Sequence, residues 1–269
     1  ALDLAVDCVD EQAAGGSDID WIALASGLVA EAGRHGRARA FLESRHEQHG
    51  LDLDAAQLLA RLYLETARYG PAMKTARRAA KGKTRLEALT LVGEAQRAAG
   101  KLAAAEKTLA AVVKADKKRY RARIQLGLVY RDAGKSALAK GIFDGFYDDY
   151  GNDLISKSSA PQLTYVAMAC RYSDNFRDAH DTLRDALKID TRFVEALNEL
   201  GEISLEKYEA GHAEQHFLKV LKQNPNNLRA LIGLTRVKKV QTNREKPLMK
   251  LLKRIRKVAP RSIEADAIE

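Results

Sequence analysis

Apolar residues recur along most of the chain at the spacing of amphipathic helices, in two stripes for every 34 residues. Residues 194–227 show the pattern clearly. Their first stripe comprises Leu197, Leu200 and Gly201, and their second comprises Ala213, Phe217 and Val220. Apolar positions three and four apart lie on one face of an α-helix, and Pro225 is a residue that ends one. The pattern predicts two helices, joined by a short turn and packed on each other.

The same arrangement repeats in both directions from this segment. Residues 160–193 carry Leu163, Val166, Ala167 and Cys170, followed by Ala179, Leu183 and Ala186. Self-similarity at a fixed period of about 20–50 residues is typical of repeat architectures. The frame predicts seven helix pairs, at about 18–51, 53–85, 86–119, 120–153, 160–193, 194–227 and 228–261. The two terminal units fit least well, and in the last one we expect Thr235 and Pro247 to replace the small glycine and alanine.

A 34-residue helix-turn-helix unit in which small and large residues alternate at the helix contact resembles the tetratricopeptide repeat. The resemblance implies an all-α fold, a right-handed superhelical solenoid of antiparallel helix pairs whose first helices line a concave surface. The physical reason is that one helix pair cannot bury its apolar face alone, so neighbouring pairs must stack.

Three segments fall outside the seven units. Residues 1–17 are interpreted as a helix of a truncated preceding repeat plus a linker, and residues 262–269 as the start of a further repeat. We therefore expect the sequence to belong to a longer chain. Residues 154–159, LISKSS, break the frame as a short insertion. Such an insertion forms a loop or lengthens a helix. We expect a helix extension that repacks Phe146 and Tyr147, with an exposed binding loop as the alternative.

Charge changes this picture at the C-terminal end only. The chain has a formal net charge of +9, and residues 228–261 alone hold 12 Lys and Arg against one acidic residue. A basic patch is predicted at Lys238, Lys239, Lys250, Lys253, Arg254, Arg256 and Lys257. A stripe of this kind binds nucleic-acid phosphates or an anionic membrane surface. No aromatic residues interleave it for base stacking, which favours a solvated face or an acidic partner over nucleic acid.

Apolar runs and cysteines exclude two classes of protein. No apolar run reaches the roughly 20 residues that a membrane-spanning helix needs, so no membrane span is predicted. Two cysteines, Cys8 and Cys170, are too few for a disulfide framework or a zinc site.

The stretch GHAEQH, residues 211–216, imitates a zinc-hydrolase helix. His212 and His216 are four apart, but Glu214 follows the first histidine by two residues and faces away from both rings. No third ligand is evident, and Ala213 and Phe217 belong to the repeat pattern. We expect ordinary, partly exposed histidines. Neither a metal nor a cofactor is predicted, and the chain shows no nucleophile elbow or phosphate-binding loop, so we predict that it is not an enzyme.

Candidate binding residues are those that the resemblance places on the concave face of the first helices. The predicted partner-binding residues are Arg97, Arg121, Gln125, Arg131, Tyr165, Met168, Arg171, Tyr172, Asn198 and Glu202. Arginine and tyrosine are the residue types that most often anchor protein interfaces. A solvated inner face with scattered long side chains is the alternative.

Some tetratricopeptide-repeat proteins hold a chaperone's C-terminal carboxylates with a lysine–asparagine–asparagine–lysine–arginine clamp. Here Asn198 stands where that clamp has lysine, and Glu202 stands where it has asparagine. The departures disfavour that particular ligand.

The sequence therefore predicts a non-enzymatic scaffold for protein–protein interaction, which binds a peptide or partner segment in its concave groove. One alternative is nucleic-acid binding through the basic C-terminal repeat. Another is the non-catalytic repeat region of a larger enzyme, such as a metallopeptidase. The second rests on residues 163–190, LTYVAMACRYSDNFRDAHDTLRDALKID, which resemble units of long bacterial repeat proteins.

Overall fold

A computed structural model describes residues 27, 35–49, 51, 53–241 and 245–260. Of these residues, 82% are helical, in thirteen α-helices and one short 3₁₀ turn, and none is in a strand. The predicted all-α fold is confirmed. The expected helix at residues 1–17, the start of a further repeat at 262–269 and most of the first unit lie outside the described residues.

The helices follow one another with short connections. Their bounds are α1 His35–His49, α2 Leu53–Glu65, α3 Tyr69–Ala79, α4 Arg85–Ala98, α5 Leu102–Ala115, α6 Tyr120–Asp132, α7 Ser136–Gly151, α8 Ala160–Tyr172, α9 Phe176–Ile189, α10 Val194–Glu206, α11 Ala210–Gln223, α12 Leu228–Gln241 and α13 Glu245–Val258. The 3₁₀ turn, Gly82–Thr84, precedes α4.

Two kinds of helix contact build the solenoid. Each helix packs on the next one in the chain, and the even-numbered helices also contact one another in sequence from α2 to α12. Those six helices, called here the inner row, thus form a continuous wall, and the odd-numbered helices pack behind it. The grouping of these helices into the seven repeat units stays a prediction.

Glycine allows the closest approach between the two helices of a pair. A Cβ atom on Gly127 of α6 would lie 2.6 Å from Cε1 of Phe143, which is on α7. A Cβ atom on Gly201 of α10 would likewise lie 2.6 Å from the ring of Phe217 on α11. The aromatic ring therefore packs directly on the backbone of the inner helix, and a larger residue would separate the pair.

One type of turn ends five of the inner helices. In each, a residue with positive φ follows the helix, as in Gly100 (73°), Gly134 (72°) and Asp174 (59°). The next amide then donates to a carbonyl five residues back, as Lys135 N does to Tyr130 O at 2.8 Å. This bond pattern is the Schellman motif. It gives successive helix pairs the same short turn.

Residues 154–159 differ from the expected helix extension. Helix α7 is two residues longer than α9, and Phe146 is fully buried within it, but α7 ends at Gly151. The connection that follows is anchored instead by Ile155, which is 2% exposed, and by a hydrogen bond from Tyr120 Oη to Leu154 O of 2.8 Å. The frame-breaking residues form a pinned connection.

Helix α13 corrects one detail of the predicted last unit. Pro247 is exposed in the first turn, so it does not take the place of a small buried residue. Helix α13 begins 17 residues after the start of α12, whereas α11 begins 16 residues after the start of α10. Leu252 and Ile255 of this helix are buried, as is Leu251, which the repeat pattern placed in the core.

Candidate partner-binding cavity

The inner row curves around a cavity of about 1010 Å³. Every helix of the row contributes to its lining, together with α1, α13 and the turn between α11 and α12. The lining includes apolar side chains from three helices of the row, Leu128 of α6, Met168 of α8 and Ile232 of α12, together with polar and charged side chains.

The first described helix, α1, contacts the turn between α11 and α12 beside this cavity. Nε2 of His35, the first residue of α1, lies 3.4 Å from Nδ2 of Asn224, which is 189 residues later in the chain. The same ring nitrogen lies 3.3 Å from a carboxylate oxygen of Glu65. Loss of hydration around its carboxyl raises the pKa of Glu65 to about 7, although its side chain is 42% exposed. The wall therefore closes through a direct contact between α1 and the α11–α12 turn, a contact called here the end-to-end contact.

The predicted partner-binding residues divide into two groups. Those that line the cavity are Arg97, Gln125, Met168, Arg171, Tyr172 and Glu202. Those outside its lining are Arg121, Arg131, Tyr165 and Asn198. Asn198 is 4% exposed, Tyr165 is half-buried and Arg131 is exposed. The assignment of any of them to a partner remains a proposal.

Arg171 lies at the centre of an ion network that joins three inner helices. Although it is only 7% exposed, its guanidinium contacts Glu199 at 2.7 Å, Glu206 at 2.6 Å and Glu202 at 3.6 Å, all on α10. From α12, Arg229 contacts Glu199 at 2.7 Å and Arg236 contacts Glu202 at 2.8 Å.

Glu199 shows how strongly this network is coupled. Burial alone would raise the pKa of its carboxyl, but Arg229 and Arg171 hold that pKa below its ordinary value. The carboxylate stays charged because it has two cationic partners on two different helices.

A second set of ion pairs joins α4 and α6. The guanidinium of Arg121 donates hydrogen bonds to both carboxylate oxygens of Glu94, at 2.6 and 2.9 Å. Arg97 donates to Asp132 at 2.8 Å and to the side chain of Gln125 at 3.4 Å. Arginines that the sequence suggested as partner anchors therefore already bridge neighbouring inner helices, and they hold the wall in shape.

Aromatic contacts fix Tyr172 at the end of α8. Its ring stacks on that of Phe143, with the two ring centroids 5.6 Å apart. The guanidinium of Arg131, on α6, lies 4.2 Å from the centroid of the Tyr172 ring. Its position is thereby set before any ligand arrives, whereas the unbranched side chain of Met168 adapts to irregular apolar shapes. Tyr172, Met168 and Ile232 all line the cavity, where Tyr172 is held in one position and Met168 can change its conformation.

Several cavity residues were absent from the sequence prediction, chiefly Arg229, Arg236 and Asn224. A signal for the two arginines was present. They occupy the second and ninth positions of the predicted unit 228–261, which are concave positions in the other units. Asn224 lies in a turn, for which the repeat pattern makes no statement.

The residues of the predicted basic patch have different surroundings. Lys239 and Lys257 line the cavity, whereas Lys238 pairs with Glu214 of α11. Arg254 donates to the carbonyl of Pro225 at 2.7 Å. Lys250 and Lys253 are exposed along α13, and Arg256 is half-buried there.

The histidines of residues 211–216 lie on α11. His212 is exposed and lies 3.3 Å from a carboxylate oxygen of Glu209. Burial, with Lys219 and two other histidines nearby, lowers the pKa of His216 to about 4. Within the part of the chain that the structure describes, no group of three or more His, Cys, Asp and Glu side chains is arranged to hold a metal ion.

The length and apolar character of the helices decide whether one of them could span a membrane. Over residues 35–49, 53–241 and 245–260, no helix combines the length and the apolar character that crossing a bilayer requires.

Comparison with solved structures identifies the fold. A tetratricopeptide repeat protein from Parabacteroides merdae ATCC 43184 superposes with a TM-score of 0.57 at 16% identity, over 94% of this chain and 92% of that one. The hetero-tetramer Cut9–Hcn1 of APC/C superposes with a TM-score of 0.56 at 14% identity, over 93% of this chain. This chain spans 54% of the matched chain in that assembly. No family model matches the sequence, and no curated protein matches it significantly. The chain has the tetratricopeptide-repeat fold, as the repeat pattern predicted.

Proposed function

From this fold and its cavity we propose that the chain is a non-enzymatic scaffold that binds a peptide or partner segment along its inner row. The observation that carries the proposal is the cavity of about 1010 Å³, whose lining includes Leu128, Met168 and Ile232. Concave sites that combine apolar surface with placed polar groups are the usual form of a binding site.

The rigidity of the wall supports the proposal. Ion pairs between inner helices hold Arg97, Arg121 and Arg171 in place without a ligand. A surface that is ordered before binding loses less conformational entropy when a partner arrives. The paired arginines therefore contribute to affinity through the shape of the wall more than through direct contact.

Selection of binders from a random peptide library tests the proposal without assuming their chemistry. We expect selected peptides to bind the wild-type chain. Their affinity for the Met168→Glu variant should be at least about tenfold lower, because a carboxylate would then stand among the apolar side chains of the cavity. Leu218→Glu is the matched control. Leu218 is 47% exposed on α11 and does not line the cavity, so its replacement leaves affinity unchanged.

Two results would contradict the proposal. The first is that no peptide is enriched by the wild-type chain. The second is that enriched peptides bind Met168→Glu and Leu218→Glu equally well. Melting temperatures of both variants show whether each is folded before binding is compared.

Binding to a polyanion through α13 is a second candidate function, favoured by one arrangement of side chains. Lys246, Lys250, Lys253 and Lys257 recur at helical spacing, are exposed, and form no ion pair with a described residue. Duplex DNA is the probe. If this function holds, log affinity falls with log salt by about 0.9 for each phosphate neutralised, and Lys250→Glu with Lys253→Glu abolishes binding. Weak binding of the duplex that this double variant leaves unchanged would exclude polyanion binding as the function.

A further inference from the structure

The charges that line the cavity are unevenly distributed between its ends. At the α1–α2 end, Arg39 and Arg68 both lie within 3.5 Å of Glu43. Glu65 adds a second carboxylate there, beside His35. Both arginines of this end thus contact one carboxylate that lies outside the lining, and Glu65 is an acidic group within the lining.

The α12–α13 end is basic. Arg229, Arg236 and Lys239 of α12 and Lys257 of α13 line it. Two acids of the lining lie at this end, Glu199 and Glu202, and both also contact Arg171. Positive groups therefore outnumber negative ones in this part of the lining.

Several of these cations keep donors for a ligand. The side chains of Arg229 and Arg236 are 41% and 45% exposed, and Nη2 of Arg229 and Nη1 of Arg236 are the atoms that contact the glutamates. A guanidinium has five N–H donors, so most of them remain available. Lys257 is exposed, lines the cavity and pairs with no acid among the described residues.

We infer that the segment bound in the cavity carries acidic side chains, which lie against Arg229, Arg236 and Lys257. The inference rests on the proposed function and adds the chemistry and the orientation of the partner. Carboxylates gain charge-assisted hydrogen bonds from the spare guanidinium donors. A basic segment would meet like charge at the same end, which excludes it.

Three fluorescein-labelled decapeptides test the inference, in which alanine alternates with glutamate, glutamine or lysine. We expect the glutamate peptide to bind on the order of tenfold more tightly than the glutamine peptide, and the lysine peptide not to bind, because charge complementarity selects partners.

Two lysines on α13 supply a matched pair of variants. Lys257 lines the cavity, whereas Lys253 is exposed one turn earlier and does not line it. Lys257→Gln should lower the affinity for the glutamate peptide by about fivefold and make that affinity less dependent on salt. Lys253→Gln should change neither the affinity nor its salt dependence. Arg236→Gln, shown by its melting curve to be folded, should weaken binding in the same way as Lys257→Gln.

Equal affinity for the glutamate and glutamine peptides would overturn the inference, and so would equal losses in Lys253→Gln and Lys257→Gln. Failure of all three peptides to bind would overturn it as well. The library selection separates these results from failure of the proposed function. Selected peptides that are neutral or basic, yet sensitive to Met168→Glu, leave the scaffold proposal standing and exclude an acidic partner.

Discussion

At the scale of single residues, glycine in the inner helices determines how closely each helix pair packs. Replacing Gly127 with alanine places a Cβ atom 2.6 Å from the Phe143 ring and 2.9 Å from Ile142. We expect Gly127→Ala to lower the free energy of unfolding by about 1–3 kcal/mol through overpacking. Gly141→Ala is the control, because a Cβ atom on this exposed glycine of α7 would have no neighbouring atom within 4 Å. It should raise stability by about 0.5–1 kcal/mol. Urea unfolding measures both, and changes of the same sign would refute this account of the packing.

His216 predicts a pH dependence of stability. Its pKa is lowered from 6.5 to about 4, first by burial and then by Lys219, His180 and His212. Between these two pH values the unfolded chain binds the proton and the folded chain does not, so stability falls as pH is lowered from 6.5 toward 4.

Substitution isolates this contribution. His216→Gln should remove about 1 kcal/mol of the stability loss over that range, a value reduced for the ring's remaining contact with water. His212 makes the smallest of the contributions named above to that lowered pKa, so His212→Gln should change the slope far less than His216→Gln does. Thermal melts in steps from about pH 4 to pH 7 give the comparison, and parallel slopes for wild type and His216→Gln would refute the prediction.

At the scale of elements, the connection after α7 depends on one side chain. Ile155 is 2% exposed and its neighbour Leu154 is 57% exposed. We expect Ile155→Ala to cost about 2–4 kcal/mol, since it leaves a cavity between α7 and α8. Leu154→Ala should cost less than about 0.5 kcal/mol. Similar losses for the two variants in urea would mean that the connection is not pinned.

Ion pairs between inner helices predict a contrast between two arginines. Arg171 is buried against three glutamates, whereas Arg131 is exposed and pairs with Asp132. Arg171→Met should cost about 2–4 kcal/mol, because Glu199 remains buried with only one cationic partner. Arg131→Met should cost no more than about 1 kcal/mol. If the two melting temperatures fall equally, the network does not hold α8, α10 and α12 together.

The same two arginines show what the sequence could and could not predict. Helix positions follow from the apolar stripes, because each stripe is buried by its neighbours in the chain, and the all-α fold was predicted correctly. Arg131 and Arg171 both occupy concave positions, yet only Arg171 meets acids on the next inner helix. That outcome depends on helix rotation and curvature, which local periodicity does not determine. The sequence therefore indicated which face to examine, and could not separate wall-building residues from cavity-lining ones.

At the scale of the whole molecule, the end-to-end contact joins α1 to the α11–α12 turn. Gly36 and Asn226 line the cavity on its two sides. Spin labels on cysteines at these positions, with Cys8 and Cys170 replaced by alanine, should give a short and narrow distance distribution. His35→Ala removes the ring that contacts both Asn224 and Glu65, so it should broaden the distribution toward longer distances. A long, broad distribution before that substitution would show that the ends do not meet.

The end-to-end contact also has a kinetic consequence. If a partner segment binds in the cavity as proposed, one with folded domains on both sides would have to enter past the contact between His35 and Asn224, which must then break. The observed association rate should then level off at high concentrations of such a segment, at the rate of opening. A peptide with a loose end can enter lengthwise, and its rate should keep rising with concentration. Dissociation of either kind of segment would pass the same end-to-end contact. The residence times of both should therefore shorten together in His35→Ala.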